Sequence, residues 1–172
     1  IHFESTEEMI PANLAEGMET VLTILQSKLK NGIEVSKEYR LTEDVYCYPD
    51  ELSQIWTNLI HNSIQAMNGV GQLSIEIFPQ AEISSTPDID KRDREYKGSY
   101  IGISIEDSGP GIPPEISSKI FEAFFTTKPV GEGSGLGLHI IGRILEKHKG
   151  VLELESRPGK TKFTIMIPDS LK

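Results

Sequence analysis

The chain has 172 residues, a formal net charge of −9, 37% hydrophobic residues and 25% charged residues. This length and composition predict one globular domain with a substantial core, and no run approaches the roughly 18 apolar residues of a membrane span. The acidic charge disfavours nucleic acid as a partner, because nucleic-acid binders normally carry a basic patch. It also means that any phosphate ligand needs a metal ion, helix N-termini or a few well-placed cations.

The beginning of the chain and its cysteine usage predict a cytoplasmic location. Residues 1–11 lack the basic region and the apolar stretch of a secretory signal. The single cysteine, Cys47, has no partner within the chain, which is typical of a reducing compartment. We expect Cys47 to be a small core residue and not a nucleophile.

Hydrophobic periodicity predicts three long helices and five strands. In chain order these are a helix over Asn13–Lys30, a strand over Ile33–Tyr39, a helix from Asp50 through Met67, strands over Leu73–Ile77 and Ile101–Ile105, a helix over Gly137–Lys149, and closing strands over Val151–Ser156 and Lys162–Ile167. The mixture predicts an α/β architecture in which helices cover one face of a sheet.

Two long connections separate these elements. Pro79–Gly98 is polar and charged, and we interpret it as an exposed connection. Asp107–Gly135 is rich in glycine and proline and too long for a plain connector, which is typical of a functional segment. The predicted domain is 13–168, with 1–12 as an N-terminal tail or the end of a linker and 169–172 as a C-terminal tail.

One face of the second predicted helix is polar without being charged. Asn58, His61, Asn62 and Gln65 follow at helical spacing, opposite the apolar stripe. A solvated helix face is the simpler interpretation, but such a face normally carries Lys and Glu. Side-chain carbonyl oxygens suit Mg²⁺, which binds one or two protein ligands and keeps phosphate oxygens and waters for the rest.

A glycine-rich turn follows the Ile101–Ile105 strand. Asp107 at the strand end can accept a hydrogen bond from an exocyclic amine, and Gly109 and Gly111 permit positive φ and close approach of a flat ligand. A tight turn without a ligand is the alternative.

A second glycine-rich stretch precedes the third predicted helix. Gly131–Gly137 opens that helix, so backbone N–H groups and the positive end of its dipole would face a phosphate. Lys128 is the only cation between Lys119 and Arg143. A flexible surface loop is the alternative. A P-loop is excluded because Leu154 stands where the first glycine before Gly159-Lys160-Thr161 should be, and no GxGxxG, HRD or DFG string occurs.

Four segments in this order resemble the nucleotide-binding domain of the superfamily that contains histidine kinases, DNA gyrase, Hsp90 and MutL. Asn58–Met67 is similar to its N box, Asp107–Pro113 to its G1 box, Ile120–Lys128 to its F box and Gly133–Leu138 to its G2 box. NLIHNSIQAM, IFEAFFTTKPVGEGSGLGLHI and GKTKFTIMIP are most similar to sensor histidine kinases with an FFTTK sequence and a short lid. The implied fold is a two-layer α/β sandwich of the Bergerat type, a mixed sheet covered on one face by helices.

The resemblance implies ATP and Mg²⁺ as cofactors. Asn62 would bind the metal with Asn58 nearby, Asp107 the adenine amine, and Lys128 the phosphates; Asn62 and Lys128 would be the catalytic residues, and Thr161 would back the adenine site. The nucleotide contacts implied are Asn58, Asn62, Gln65, Ala66, Asp107, Gly109, Gly111, Ile112, Phe121, Thr127, Lys128, Gly133, Ser134, Gly135, Leu136, Gly137, Leu138 and Thr161.

Many relatives carry a lysine at the position of Gln65. Because this chain lacks that lysine, either Lys128 or Gln65 would contact the phosphates. The resemblance also implies a histidine acceptor on a preceding two-helix dimerisation domain, a response-regulator receiver domain as partner, and a homodimeric parent from which this domain is an excised monomer. His2, His61, His139 and His148 sit in contexts unsuited to the acceptor. The alternatives are an ATP-hydrolysing member, disfavoured by Asn58 where those branches carry a glutamate, and a binding-only member.

Overall fold

A five-stranded sheet carries the core on one face, and the helices cover that face. The computed structural model describes residues 8–83, 98–125 and 138–169. The elements are β1 (Ile10–Ala12), α1 (Leu14–Ile24), α2 (Gln26–Leu29), β2 (Ile33–Tyr39), β3 (Val45–Cys47), α3 (Pro49–Ala66), β4 (Gly71–Ala81), β5 (Tyr100–Asp107), α4 (Pro114–Phe125), α5 (Leu138–Lys147), β6 (Val151–Arg157) and β7 (Lys160–Pro168). No helix in these ranges combines the length and hydropathy that crossing a membrane requires.

The large sheet is mixed, with strand order β2-β4-β5-β7-β6. β2 runs parallel to β4, whereas every other neighbouring pair is antiparallel. Alternate residues point to opposite faces of a strand, so Ile101, Ile103 and Ile105 of β5 enter the main core. The predicted two-layer sandwich with a mixed sheet is therefore confirmed.

α3 is the central helix of the covering layer. Pro49 occupies its first turn, and Asp50 and Glu51 place negative charge at its N-terminus, which complements the helix dipole. Its inward face is buried through a set of residues with helical spacing, namely Leu52, Ile55, Trp56, Leu59, Ile60, Ser63 and Ile64. The predicted helix from Asp50 through Met67 is confirmed to within a residue at each end.

The single helix predicted over Asn13–Lys30 is wrong, because the chain breaks at Leu25. Asn13 caps α1 by accepting a hydrogen bond from the Glu16 N–H at 3.0 Å, as expected for an N-cap. Leu25 then leaves helical geometry with φ −93° and ψ 6°. The break lets both Leu25 and Leu29 reach the core, where each is at most 6% exposed.

The irregular segment predicted over Asp107–Gly135 contains α4, which is a second correction. Pro114 begins the helix and Glu115 lies in its first turn, a pair of residues that favours a helix start. The Pro113 carbonyl accepts from the N–H groups of Ile116 and Ser117 at 2.9 Å.

Short elements were also missed at other places. β1 and β3 form a separate two-stranded antiparallel sheet, and three-residue strands carry too little alternation to predict. β4 extends to Ala81, so the predicted Pro79–Gly98 connection starts within a strand. Residues 84–97 of that connection lie outside the described ranges.

The C-terminal end of α5 is tied to the N-terminal end of α3 through His148. This side chain is 3% exposed. Its Nε2 accepts the Tyr48 N–H at 3.0 Å, and its Nδ1 lies 2.8 Å from the Ile144 carbonyl oxygen. Because Nε2 accepts a backbone N–H, the ring is neutral and Nδ1–H is the donor to Ile144. Burial lowers the pKa of His148 below its ordinary value, with the Ile144 carbonyl opposing the shift.

Charged and aromatic neighbours surround this link. Lys147 lies 2.6 Å from a carboxylate oxygen of Glu51 and 4.3 Å from the centre of the Tyr48 ring. The Tyr48 and His148 rings meet edge to face with centroids 5.2 Å apart. The cluster joins two helices that are distant in sequence.

Replacing His148 by Phe should lower the free energy of unfolding at pH 7.5 by about 1–3 kcal/mol, because the buried Tyr48 N–H loses its acceptor. The loss should shrink at pH 5.5. Since the folded pKa of His148 is lowered, the unfolded chain binds the extra proton as pH falls below about 6.5, and wild-type stability falls with it. Urea unfolding at both pH values measures this, with His139→Ala on α5 as the matched control. An equal loss at both pH values would contradict the neutral, buried imidazole.

Candidate functional site

Four residues form a lateral row across the helix-facing side of the sheet. In strand register, Leu73 of β4 pairs with Asp107 of β5, Asp107 with Thr161 of β7, and Thr161 with Ser156 of β6. Residues directly opposite each other on neighbouring strands point to the same face. Leu73 is fully buried, and Asp107 and Thr161 are 4% and 6% exposed. The row therefore brings a carboxylate and two hydroxyls side by side under the helical layer.

Among the described residues, the partners of the Asp107 carboxylate are neutral donors. Its Oδ1 accepts the Gly109 N–H at 2.8 Å, and the buried Ser63 of α3 lies near enough to the same carboxylate to stabilise its charged form. Burial raises the pKa of Asp107, while Ser63 and the Gly109 N–H lower it and the charge of Glu106 raises it further. A carboxylate accepts up to about four hydrogen bonds, so Asp107 retains capacity for a ligand that donates.

The glycine turn after β5 is attached to the β6–β7 turn. The Gly159 N–H donates to the Gly109 carbonyl at 2.9 Å. Gly111 has φ +89°, and a Cβ atom there would lie 2.5 Å from the Arg157 carbonyl oxygen. Residue 111 must therefore be glycine for two reasons: the backbone has a positive φ, and there is no space for a Cβ atom.

A third attachment uses the hydroxyl of Ser156. Its Oγ accepts the Ile112 N–H at 2.6 Å and lies 3.3 Å from Oγ1 of Thr161. The two turns and the ends of three strands thus form one connected wall, with Asp107 and Thr161 at its centre.

The C-terminal part of α3 lies beside this wall. A Cβ atom on Gly109 would be 3.6 Å from Cβ of Ala66 and 3.5 Å from Cγ of Met67. Asn58, His61 and Asn62 are half-buried, whereas Gln65 is exposed. Asn58, His61 and Asn62 are therefore neither core nor fully solvated surface, and the carbonyl oxygens of the two asparagines are of the type that Mg²⁺ accepts.

The structure brings together Ala66, Asp107, Gly109, Ile112 and Thr161, with Gly111 in the same wall. The sequence-predicted residues Thr127, Lys128, Gly133, Ser134, Gly135, Leu136 and Gly137 lie outside the described ranges, as do the side chains of Phe121 and Leu138.

Two further hydroxyl residues of the site, Ser63 and Ser156, were not predicted. Ser63 lies on the apolar face of α3, and a polar residue on that face is the signal that could have found it. Ser156 continues the inward-facing series Leu152 and Leu154 on β6, so the change from leucine to serine marks the place where the core ends.

Cys47 does not take part in the site. It is free and completely buried, and burial raises the pKa of its thiol to about 11, with Asp44 adding to the shift. A thiol of this kind is a poor nucleophile at neutral pH, as expected for a core residue.

Comparison with known proteins gives a consistent match. Residues 47–171 match the family described as histidine kinase-, DNA gyrase B- and HSP90-like ATPase. The sensory histidine kinase/phosphatase NtrB of Rhizobium meliloti is 28% identical over 97% of this chain and 43% of the relative. The chain thus spans less than half the length of this relative.

Solved structures agree in fold. The catalytic domain of the histidine kinase ThkA, without nucleotide, superimposes with a TM-score of 0.72 at 28% identity, covering 95% of this chain and 97% of that one. A structure of ThkA in complex with the response regulator TrrA gives a TM-score of 0.67 at 24% identity over 94% of this chain and 42% of that one.

Gly111→Ala should destabilise the fold by more than Gly69→Ala does. Both glycines have positive φ, +89° and +80°, but Gly69 has open space where a Cβ would be, whereas Gly111 meets Arg157. The control therefore carries the backbone strain alone, about 1 kcal/mol, and the Gly111 variant adds the steric clash. Urea unfolding of both variants measures the difference. Equal losses would show that the wall is not tightly closed at Gly111.

Proposed function

The chain belongs to the histidine kinase-, DNA gyrase B- and HSP90-like ATPase family, and we propose that it is the Mg-ATP-binding catalytic domain of a two-component sensor histidine kinase. The observation that carries the proposal is the buried Asp107 carboxylate beside Thr161, walled by glycines and fixed by the Gly109 N–H. A titratable group with a shifted pKa in such a wall is typical of a functional site.

Adenine recognition follows from the chemistry of the wall. Asp107 accepts a hydrogen bond from the exocyclic amine, a charge-assisted bond that is stronger than a neutral one. Gly109 places no side chain between the Asp107 carboxylate and α3, whereas the space beside Gly111 is taken by the Arg157 backbone. Guanine carries a carbonyl at the corresponding position, and a carboxylate repels a carbonyl oxygen. The site is therefore expected to select ATP over GTP.

We assign phosphate and metal binding to polar residues of α3 and to the glycine-rich stretch before α5. Asn62 and the nearby Asn58 offer amide oxygens from α3 toward a Mg²⁺ ion. A bound Mg²⁺ neutralises charge on the phosphates. Lys128, together with the segment 133–137, contributes the cation and the backbone N–H groups. Gln65 is exposed at the end of the amide stripe, and its amide can donate to phosphate but carries no charge.

The reaction proposed is transfer of the γ-phosphoryl group from ATP to a histidine nitrogen on a separate dimerisation domain. The bond from the γ-phosphorus to the bridging oxygen breaks, ADP leaves, and the phosphorus–nitrogen bond forms. Such transfer asks the protein mainly for positioning and charge stabilisation. Among the chain's own histidines, His148 is unsuitable, because it is buried and both ring nitrogens are engaged.

Transfer is favoured over hydrolysis by the identity of residue 58. A water nucleophile needs a base or an orienting carboxylate, and the Asn58 amide takes no proton. The imidazole of an acceptor histidine brings its own nucleophilic nitrogen. The partners proposed are therefore the histidine-bearing dimerisation domain, in a homodimeric parent, and a response-regulator receiver domain. A cytoplasmic location is proposed from the lone, buried Cys47.

Asn62→Ala should keep most nucleotide affinity and lower phosphoryl transfer at least about a hundredfold. The base contacts at Asp107 survive, whereas the charge stabilisation of the reacting phosphate loses its protein anchor. The measurement is acid-labile label appearing on the parent's histidine-bearing domain, supplied as a separate polypeptide with radiolabelled ATP. Gln54→Ala, an exposed amide on the same helix, is the matched control.

Three outcomes would contradict the proposal. Wild-type transfer rates in the Asn62 variant would remove this residue from the metal site. Phosphate release by the isolated domain at roughly 1 s⁻¹ or faster would indicate an ATPase instead. Binding of ATP without transfer or release in the wild type would indicate a binding-only member.

A further inference from the structure

The Ser156 hydroxyl lies between the glycine turn and Thr161. Its Oγ is 2.6 Å from the Ile112 nitrogen and 3.3 Å from Oγ1 of Thr161. We propose that Ser156 is a positioning residue of the nucleotide site, which directs the hydroxyl hydrogen of Thr161 toward the base and thereby sharpens selection of adenine. This inference rests on the proposed function, because it concerns how the same site recognises its nucleotide.

The direction of the hydrogen bond between Ile112 and Ser156 follows from what each group can do. A backbone N–H only donates, so Oγ of Ser156 accepts from Ile112. A hydroxyl that accepts a hydrogen bond becomes a stronger donor, because the bonds in a chain polarise one another. Either hydroxyl can be the donor of the Ser156–Thr161 pair; we assign that role to Ser156, so that the Thr161 hydrogen is left for an acceptor elsewhere.

The strand register determines which groups lie next to the Thr161 hydroxyl. Thr161 stands directly opposite Asp107 on the same face of the sheet, and both side chains are almost fully buried. The row thus presents an acceptor at Asp107 beside a donor at Thr161. Adenine offers the complementary pair, an exocyclic amine that donates and a neighbouring ring nitrogen that accepts. Guanine offers the reverse pair at both positions.

A purely structural role for Ser156 makes a different prediction. If Ser156 only holds the turn through Ile112, its loss should weaken every ligand of the site alike. If it orients Thr161, the loss should depend on the Thr161 hydroxyl and on the ring nitrogen of the ligand. The two roles are therefore separated by changing the ligand and the partner residue together.

The test measures dissociation constants by calorimetry with Mg²⁺ and two non-hydrolysable ligands, an ATP analogue and its counterpart with carbon in place of the ring nitrogen next to the amine-bearing carbon. Ser156→Ala should weaken the ATP analogue about fivefold to tenfold, the size of one net hydrogen bond. It should change affinity for the carbon-substituted ligand less than twofold. The double variant with Thr161→Val should bind the ATP analogue no more weakly than Thr161→Val alone.

Two variants serve as controls. Ser156→Thr keeps the hydroxyl and should restore binding of the ATP analogue to within about twofold. Ser74→Ala removes a serine hydroxyl from the opposite face of the sheet, where its partner is Ser36, and should leave binding unchanged. If Ser156→Ala does not fold, Ser156→Cys gives the same comparison, because a thiol has similar size and is only a weak donor and acceptor.

The outcomes separate this inference from the proposed function. Failure of the wild-type domain to bind the ATP analogue would overturn the function itself. Wild-type binding together with equal losses for both ligands, additive effects of the two substitutions, or no loss at all would overturn the role of Ser156 and leave the function intact.

Discussion

The structure depends on a carboxyl group kept almost completely out of water at the end of the central strand. Asp107 is 4% exposed, and burying a charge costs several kcal/mol. The hydrogen bond from Gly109 and the interaction with Ser63 offset part of that cost, yet burial still raises the pKa of the carboxyl. Because the pKa of Asp107 is higher in the folded than in the unfolded chain, the free energy of unfolding decreases as pH rises from the unfolded pKa to the raised pKa. We expect the buried carboxylate to bind a ligand, because a ligand that donates a hydrogen bond to Asp107 offsets the free-energy cost of its burial.

The surrounding elements make this arrangement rigid. The antiparallel register sets Thr161 beside Asp107 and Ser156 beside Thr161, so the polar groups are positioned by strand pairing and not by a loop. The glycine turn is attached to the β6–β7 turn at Gly109, Gly111 and Ile112. α3 connects Asp107 to the proposed metal site, because Ser63 interacts with the Asp107 carboxylate and the next residue toward the N-terminus of the helix is Asn62. His148 in turn ties α5 to the start of α3.

Sequence periodicity predicted what depends on burial over many residues. α3 and the five strands of the large sheet follow from runs of apolar residues, and the turn at Asp107 follows from its glycines. The break at Leu25 was not predictable, because the apolar spacing continues across it and the tertiary packing of Leu25 and Leu29 decides the geometry. The strand neighbours of Asp107 could not be predicted from periodicity either, and Thr161 was placed at the site only through the family resemblance. Whether Thr161 or the next inward residue, Phe163, stands opposite it is a matter of register, which is set by pairing between strands far apart in the chain.

The most direct test is the dissociation constant of non-hydrolysable ATP and GTP analogues with Mg²⁺, measured by calorimetry for the wild type and for Asp107→Asn. The account predicts that the wild type prefers ATP. It also predicts that the substitution weakens ATP about tenfold to a hundredfold, because a charge-assisted bond of roughly 1.5–3 kcal/mol is lost. Equal wild-type affinity for ATP and GTP, or an unchanged ATP affinity in a folded Asp107→Asn variant, would contradict the account.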